Sequence, residues 1–142
     1  MTADLSALIA RLEAAEVGSR ELDAHVEVAA RGFDAAKTGL AREHWAAWRA
    51  SSSGIAGDGA TQYASAPVTT SLDAALALAE RVLPKETFWE MSHNAIINGQ
   101  PMYHADVFPP YQSGEATFWG YGPHPALAFC IAILRAKQGE GE

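Results

Sequence analysis

Two histidines and an aspartate, His93, His104 and Asp106, are the side chains of this sequence that could together hold a metal. Imidazole nitrogen and carboxylate oxygen form the ligand set of zinc and of non-haem iron. The three meet only if the runs that carry them pair in one register. Residues 87–97 (TFWEMSHNAII) and 100–108 (QPMYHADVF) flank Asn98-Gly99. That dipeptide is the strongest short-range hairpin signal, because both residues tolerate the positive φ of a type I′ turn. Counting outward pairs Ile97 with Gln100, Ile96 with Pro101, Ala95 with Met102, Asn94 with Tyr103, His93 with His104, Met91 with Asp106 and Trp89 with Phe108. Pro101 then falls at a non-hydrogen-bonded pair, where its missing N–H is not needed. In this register His93 faces His104 and lies diagonal to Asp106. The plainer reading is two sheet-surface histidines, one bonded to Asp106. With no spacing motif behind the trio, no metal is assigned, and a metal-dependent enzyme using these three residues stays an alternative.

A third use of the same strands is a polar, base-stacking surface. Ser92, His93, Asn94, Tyr103, His104 and Trp119 supply amide, hydroxyl, imidazole and aromatic groups. No Lys or Arg occurs between Lys85 and Arg135. An anionic ligand on the sheet would therefore draw its countercharge from Arg135, from Lys85 or Lys137, from N-terminal arginines or from a second subunit. These seven residues, Ser92, His93, Asn94, Tyr103, His104, Trp119 and Arg135, form the candidate ligand-binding set. Nucleophiles are poorly placed elsewhere. Cys130 lies in an apolar helical run, where a thiol is usually inert core, and Ser51–Ser53 lie in a Gly-rich loop with no paired histidine in sequence. Gly120-Tyr-Gly-Pro-His-Pro125 runs from strand to helix, and its N–H groups could take an anion, although an ordinary corner explains it as well. The chain is read as non-catalytic, with no cofactor.

Around these residues the chain of 142 residues is long enough for one core and is read as a single domain. Its formal charge of −7 argues against nucleic acid or an anionic membrane surface as partner. The single cysteine, Cys130, excludes an internal disulfide and fits a reducing compartment. No apolar run is long enough for a membrane span, and the N-terminus lacks the pattern of a signal peptide. A cytoplasmic protein of a bacterial cell is expected.

Residues 1–33 predict a helical pair. Leu5, Leu8, Ile9 and Leu12 make one apolar stripe. Gly18 stops the first helix and Ser19 caps the second, whose stripe is Leu22, Val26, Ala29 and Phe33, with Gly32 near its end. Residues 38–50 suggest a short helix carrying Trp45 and Trp48, a candidate surface for a protein partner. Residues 51–60 read as a flexible loop or lid extending to 66 by composition. A helix capped by Thr70 or Ser71 ends at Pro84, with Arg81 in its last turn. After the hairpin come a turn at 109–114, a third extended run at 115–121 and a closing helix at 125–136 that is apolar on every side and so deeply buried. Residues 69–137 are the expected core.

Three segments, in order, resemble a family of small phage and prophage proteins with the phage ABA-sandwich domain: LIARLEAA with SRELDA near the N-terminus, TTSLDAALALAERVLP at 69–84 followed by the Trp89 strand, and PALAFCIAILRA at 125–136. The stretch 38–66 lies outside the likeness, and His124 stands where the family more often has a capping Thr. The resemblance implies an α+β fold, an α/β/α sandwich with a small antiparallel sheet (hairpin plus third strand), an N-terminal helical pair and a buried C-terminal helix. More remotely the chain is similar to phage anti-Thoeris sponge proteins, which sequester cyclic nucleotide immune signals as oligomers. That implies a homo-oligomer binding a small anionic nucleotide-like ligand, with no ligand-contacting residue carried over. The alternative is a protein-interaction module.

Overall fold

The computed structural model describes residues 2–39, 47–110 and 117–140, without the side chains of residues 2–4, 94, 95 and 140. Helix α1 (Thr2–Ala14) buries Leu5, Leu8, Ile9 and Leu12, the predicted stripe. The chain then turns at Gly18, where a Cβ would lie 2.3 Å from the Thr69 carbonyl oxygen, so only glycine lets the corner close on Thr69. Ser19 caps α2 (Arg20–Lys37): its backbone is extended and its hydroxyl accepts the Leu22 N–H at 3.1 Å. The helix runs past Gly32 to Thr38, whose hydroxyl donates to the Asp34 and Ala35 carbonyls. Thr38 is therefore the C-terminal cap of α2.

Residues 40–46, and with them Trp45, lie outside the described residues. Trp48 does not present itself to a partner. It is 7% exposed, edge-on to Tyr63 at 5.7 Å, and covered by the Arg31 guanidinium at 4.9 Å. The segment expected as a loop is instead a small antiparallel sheet in the order β1 (Arg49–Ala50), β2 (Ile55–Gly57), β3 (Gln62–Ala64). Its Gly, Ser and Asp residues build turns. Ser51 Oγ accepts the Ser53 and Ile55 N–H groups, Gly54 adopts φ +93°, and Asp58 accepts from Ala60 and Thr61 N–H. This sheet packs against α2.

Helix α3 (Leu72–Val82) is capped by Ser71. A second antiparallel sheet follows, in the order β4 (Phe88–Ile97), β5 (Gln100–Phe108), β6 (Phe118–Gly122). Residues 111–116 lie outside the description. Asn98 and Gly99 both have positive φ, at 52° and 78°, as the predicted turn requires. The last helix, α4 (Pro125–Glu140), contacts β5 and β6 as well as α1 and α3, which is why it must be apolar all round. Gly120 brings β6 against it, since a Cβ there would lie 2.4 Å from the Ala128 carbonyl oxygen. Phe118 lies over Gly139 in the same way.

The fold is α+β, as the sequence leads one to expect. The inner face of the β4–β6 sheet carries Met91, Tyr103, Ala105, Val107 and Phe118 into the core. The second helical layer of a sandwich is not found on the outer face among the described residues. Phe88 is 75% and Trp119 48% exposed there.

Candidate functional site

The register sets which side chains share the outer face, and it departs from the uniform count. Ala95, Ile96 and Ile97 pair as expected with Met102, Pro101 and Gln100. A bulge between Ser92 and Ala95 then places His93 and Asn94 together opposite Tyr103, and Ser92 pairs with His104. One extra residue in β4 flips everything beyond it to the other face. Met91 pairs with Ala105, Glu90 with Asp106, Trp89 with Val107 and Phe88 with Phe108. On the far side His104 pairs with Tyr121 and Asp106 with Trp119. The outer face thus carries three cross-strand rows: Phe88–Phe108, Glu90–Asp106–Trp119 and Ser92–His104–Tyr121.

Within these rows His104 Nε2 lies 3.1 Å from Asp106 Oδ1. Its ring stacks on Tyr121 at 4.5 Å with planes 16° apart. His93 stacks instead on Tyr103 at 4.0 Å, and Tyr103 packs against the core. The bulge therefore separates His93 from His104 and Asp106. The proposed metal trio is not assembled, and no group of three or more His, Cys, Asp or Glu side chains among the described residues is placed to hold a metal.

Of the candidate binding residues, Ser92, His104 and Trp119 come together on the outer face. His93 and Tyr103 form a separate stacked pair at the bulge, and the Asn94 side chain lies outside the description. Arg135 sits on α4, where it donates to the Trp119 carbonyl at 2.6 Å and pairs with Glu13. The cation expected to meet an anionic ligand is thus already engaged. Glu90 and Asp106 make the face acidic instead.

Ser92, His104 and Asp106 also have the residue types of a nucleophile, base and orienting acid. Among the described residues no hydrogen bond joins Ser92 to His104, and His104 Nε2 faces Asp106, so the Ser92 hydroxyl is not paired with a base in this structure. What the face can do is stack rings, accept hydrogen bonds at carboxylates and attract cations.

A second polar cluster braces the first sheet. Tyr63 donates to Glu27 Oε2 at 2.5 Å, and Arg81 grips the same carboxylate at 2.9 and 3.0 Å while reaching Asp34 through Nε at 2.8 Å. Burial, then the bond to Glu27, pushes the Tyr63 hydroxyl up to about 12. Burial alone would lower Arg81, but its bonds to Glu27 and Asp34 outweigh that and hold it firmly charged. A third cluster joins the Gly18 corner to the rest. Buried Asp23 accepts from the Thr69 hydroxyl at 2.6 Å and its N–H at 2.9 Å, and from Arg20 at 2.7 Å. Both clusters satisfy their own members and are structural. Their signal in sequence is a charged row, Asp23, Glu27 and Arg31, at helical spacing directly beside the apolar stripe of α2.

No protein-family model, curated protein or solved structure matches the chain.

Proposed function

We propose that this chain is a non-catalytic binding protein whose working surface is the outer face of the β4–β6 sheet, and that it acts by holding a protein partner there. The observation that carries this reading is the pair Phe88 and Trp119, 75% and 48% exposed on a face that no described helix covers. Large exposed aromatics grouped on one face, with polar groups between them, mark contact surfaces. The protein-interaction surface moves from Trp48, whose side chain is buried, to this sheet. Pull-down from a bacterial lysate with the wild type and with Phe88→Ser/Trp119→Ser tests the reading. A protein retained by the first and lost by the second is expected; an unchanged set of retained proteins rejects it.

A second reading keeps the small nucleotide-like ligand, sequestered in an oligomer of a phage or prophage protein. It is supported by the His104–Tyr121 stack beside Trp119, with Ser92 and Asp106 as hydrogen-bonding groups. The base would lie on the rings, and the phosphates would need cations from a second copy of the chain, because Glu90 and Asp106 repel them. Titration calorimetry with cyclic nucleotides and cyclic ADP-ribose isomers, alongside sedimentation equilibrium, separates this from the first reading. Heat of binding by a defined oligomer favours it, and no heat with any of them removes it.

A further inference from the structure

We infer that the partner docked on the outer face presents arginine to the Glu90–Asp106–Trp119 row; this rests on the reading of that face as a protein-binding surface. Glu90 and Asp106 are a directly opposed cross-strand pair. Like charges in that position are unfavourable in the isolated sheet. Among the described residues Glu90 has no ion-pair partner, and Asp106 has only His104, at 3.1 Å. Arg135, on the neighbouring helix α4, is turned to Glu13 and the Trp119 carbonyl. The row therefore holds two carboxylates that no described Lys or Arg pairs with.

The third member of the row selects among cations. Trp119 is 48% exposed and pairs with Asp106 across β5 and β6. A guanidinium laid over an indole beside two carboxylates gains stacking and forked hydrogen bonds at once, whereas an ammonium gains chiefly charge. The flanking Phe88–Phe108 row lies about 7 Å along the strands, two residues away, and offers an apolar patch to the partner's next side chain. The same charge speaks against a second copy of this chain as occupant. A two-fold contact through this face would bring Glu90 and Asp106 against their own counterparts.

The test uses the full chain labelled with nitrogen-15 and four peptides of the form acetyl-Gly-X-Gly-X-Gly-amide, with X as Arg, Lys, citrulline or Phe. Amide shifts are followed at low and raised salt. The arginine peptide is expected to shift β4, β5 and β6 amides selectively and to bind several-fold more tightly than the lysine peptide. Citrulline, which keeps the shape without the charge, is expected to bind at least tenfold more weakly. Glu90→Gln/Asp106→Asn, checked for an unchanged amide spectrum elsewhere, is expected to erase the preference for arginine over citrulline. Equal binding of the phenylalanine, citrulline and arginine peptides on this face overturns the inference while leaving the protein-binding reading intact. Shifts scattered over the whole surface, or a preference that survives the double variant, overturn the inference as well. If no peptide touches the face, both the inference and the reading beneath it fall.

Discussion

Replacing Gly120 by alanine should loosen the contact between β6 and α4 more than any other single added methyl group on the sheet. The new Cβ would lie 2.4 Å from the Ala128 carbonyl oxygen, 2.7 Å from Ile131 Cβ and 2.8 Å from Ile131 Cγ2. Two of these atoms are backbone or fixed by it, so no rotamer change relieves them. Ordinary contact begins near 3.4 Å, so α4 has to retreat by about 1 Å from the strand, an overpacking that costs about 3 kcal/mol. The retreat also loosens Ala128 and Ile131, which are fully buried. Unfolding entropy of about 2.1 cal/mol/K per residue gives about 0.3 kcal/mol/K for 142 residues. A loss of about 3 kcal/mol therefore lowers the melting temperature by about 10 °C. Thermal unfolding followed by circular dichroism reads this directly. Gly59→Ala is the control, because nothing lies within 4 Å of its Cβ, and it should melt within about 2 °C of the wild type. If Gly120→Ala also melts that close, α4 does not rest on the backbone of β6, and the account of the core is wrong.

Thr69→Val should destabilise by about 1–3 kcal/mol, since the Ser19 N–H loses its acceptor and buried Asp23 loses a donor; a urea midpoint equal to that of the wild type would refute the role given to this hydroxyl. Arg81→Met should lose about 3 kcal/mol by leaving the Glu27 carboxylate buried against Tyr63 alone, and Glu27→Gln in the same background should recover part of it. Tyr63 is held protonated to about 12 in the fold against an ordinary 10. Its contribution is complete below the unfolded value and is lost as pH rises between the two, because the unfolded chain releases the proton first. Urea midpoints measured between roughly pH 9 and 12 should fall more steeply for the wild type than for Tyr63→Phe, and parallel curves would contradict this. Burial pushes the Cys130 thiol up, so it should react with a thiol reagent only on unfolding; fast labelling of the native chain would show that α4 opens.

The helices were readable because their signals are local. Ser19 and Ser71 each precede a run with apolar residues at helical spacing, and each hydroxyl caps the helix it announces. The closing helix was readable because an apolar residue on every side leaves no solvent face to choose. The Asn98-Gly99 turn was likewise written in two residues whose φ angles are special. The bulge was not readable. His93 and Asn94 carry no glycine to mark it, and its cause lies in long-range fit, with Met91 and Tyr103 turned inward against the core. That one residue reassigned His93 and exchanged most of the outer face. Glu90 and Phe88 share a face with His104 and Asp106 only once the slip is known, and Tyr121 joins them through the pairing of β5 with β6. The β1–β3 sheet was hidden for the opposite reason, since its turns at 51–54 and 58–61 hold as many residues as its strands and composition reports the turns.

Arginine 135 has a consequence for how this protein can meet others. The strand it touches is an edge of its sheet, and an edge offers unpaired backbone groups to any extended chain that arrives. By holding the Trp119 carbonyl, Arg135 occupies one of the acceptors that an added strand would need on that side. The opposite edge, β4, is broken by its bulge, which spoils the spacing for a straight incoming strand. Both margins are thus poor templates for polymerising strand on strand. A chain with exposed aromatics on its sheet can in this way stay dispersed, and its contacts are steered to side chains, where residue type decides what binds.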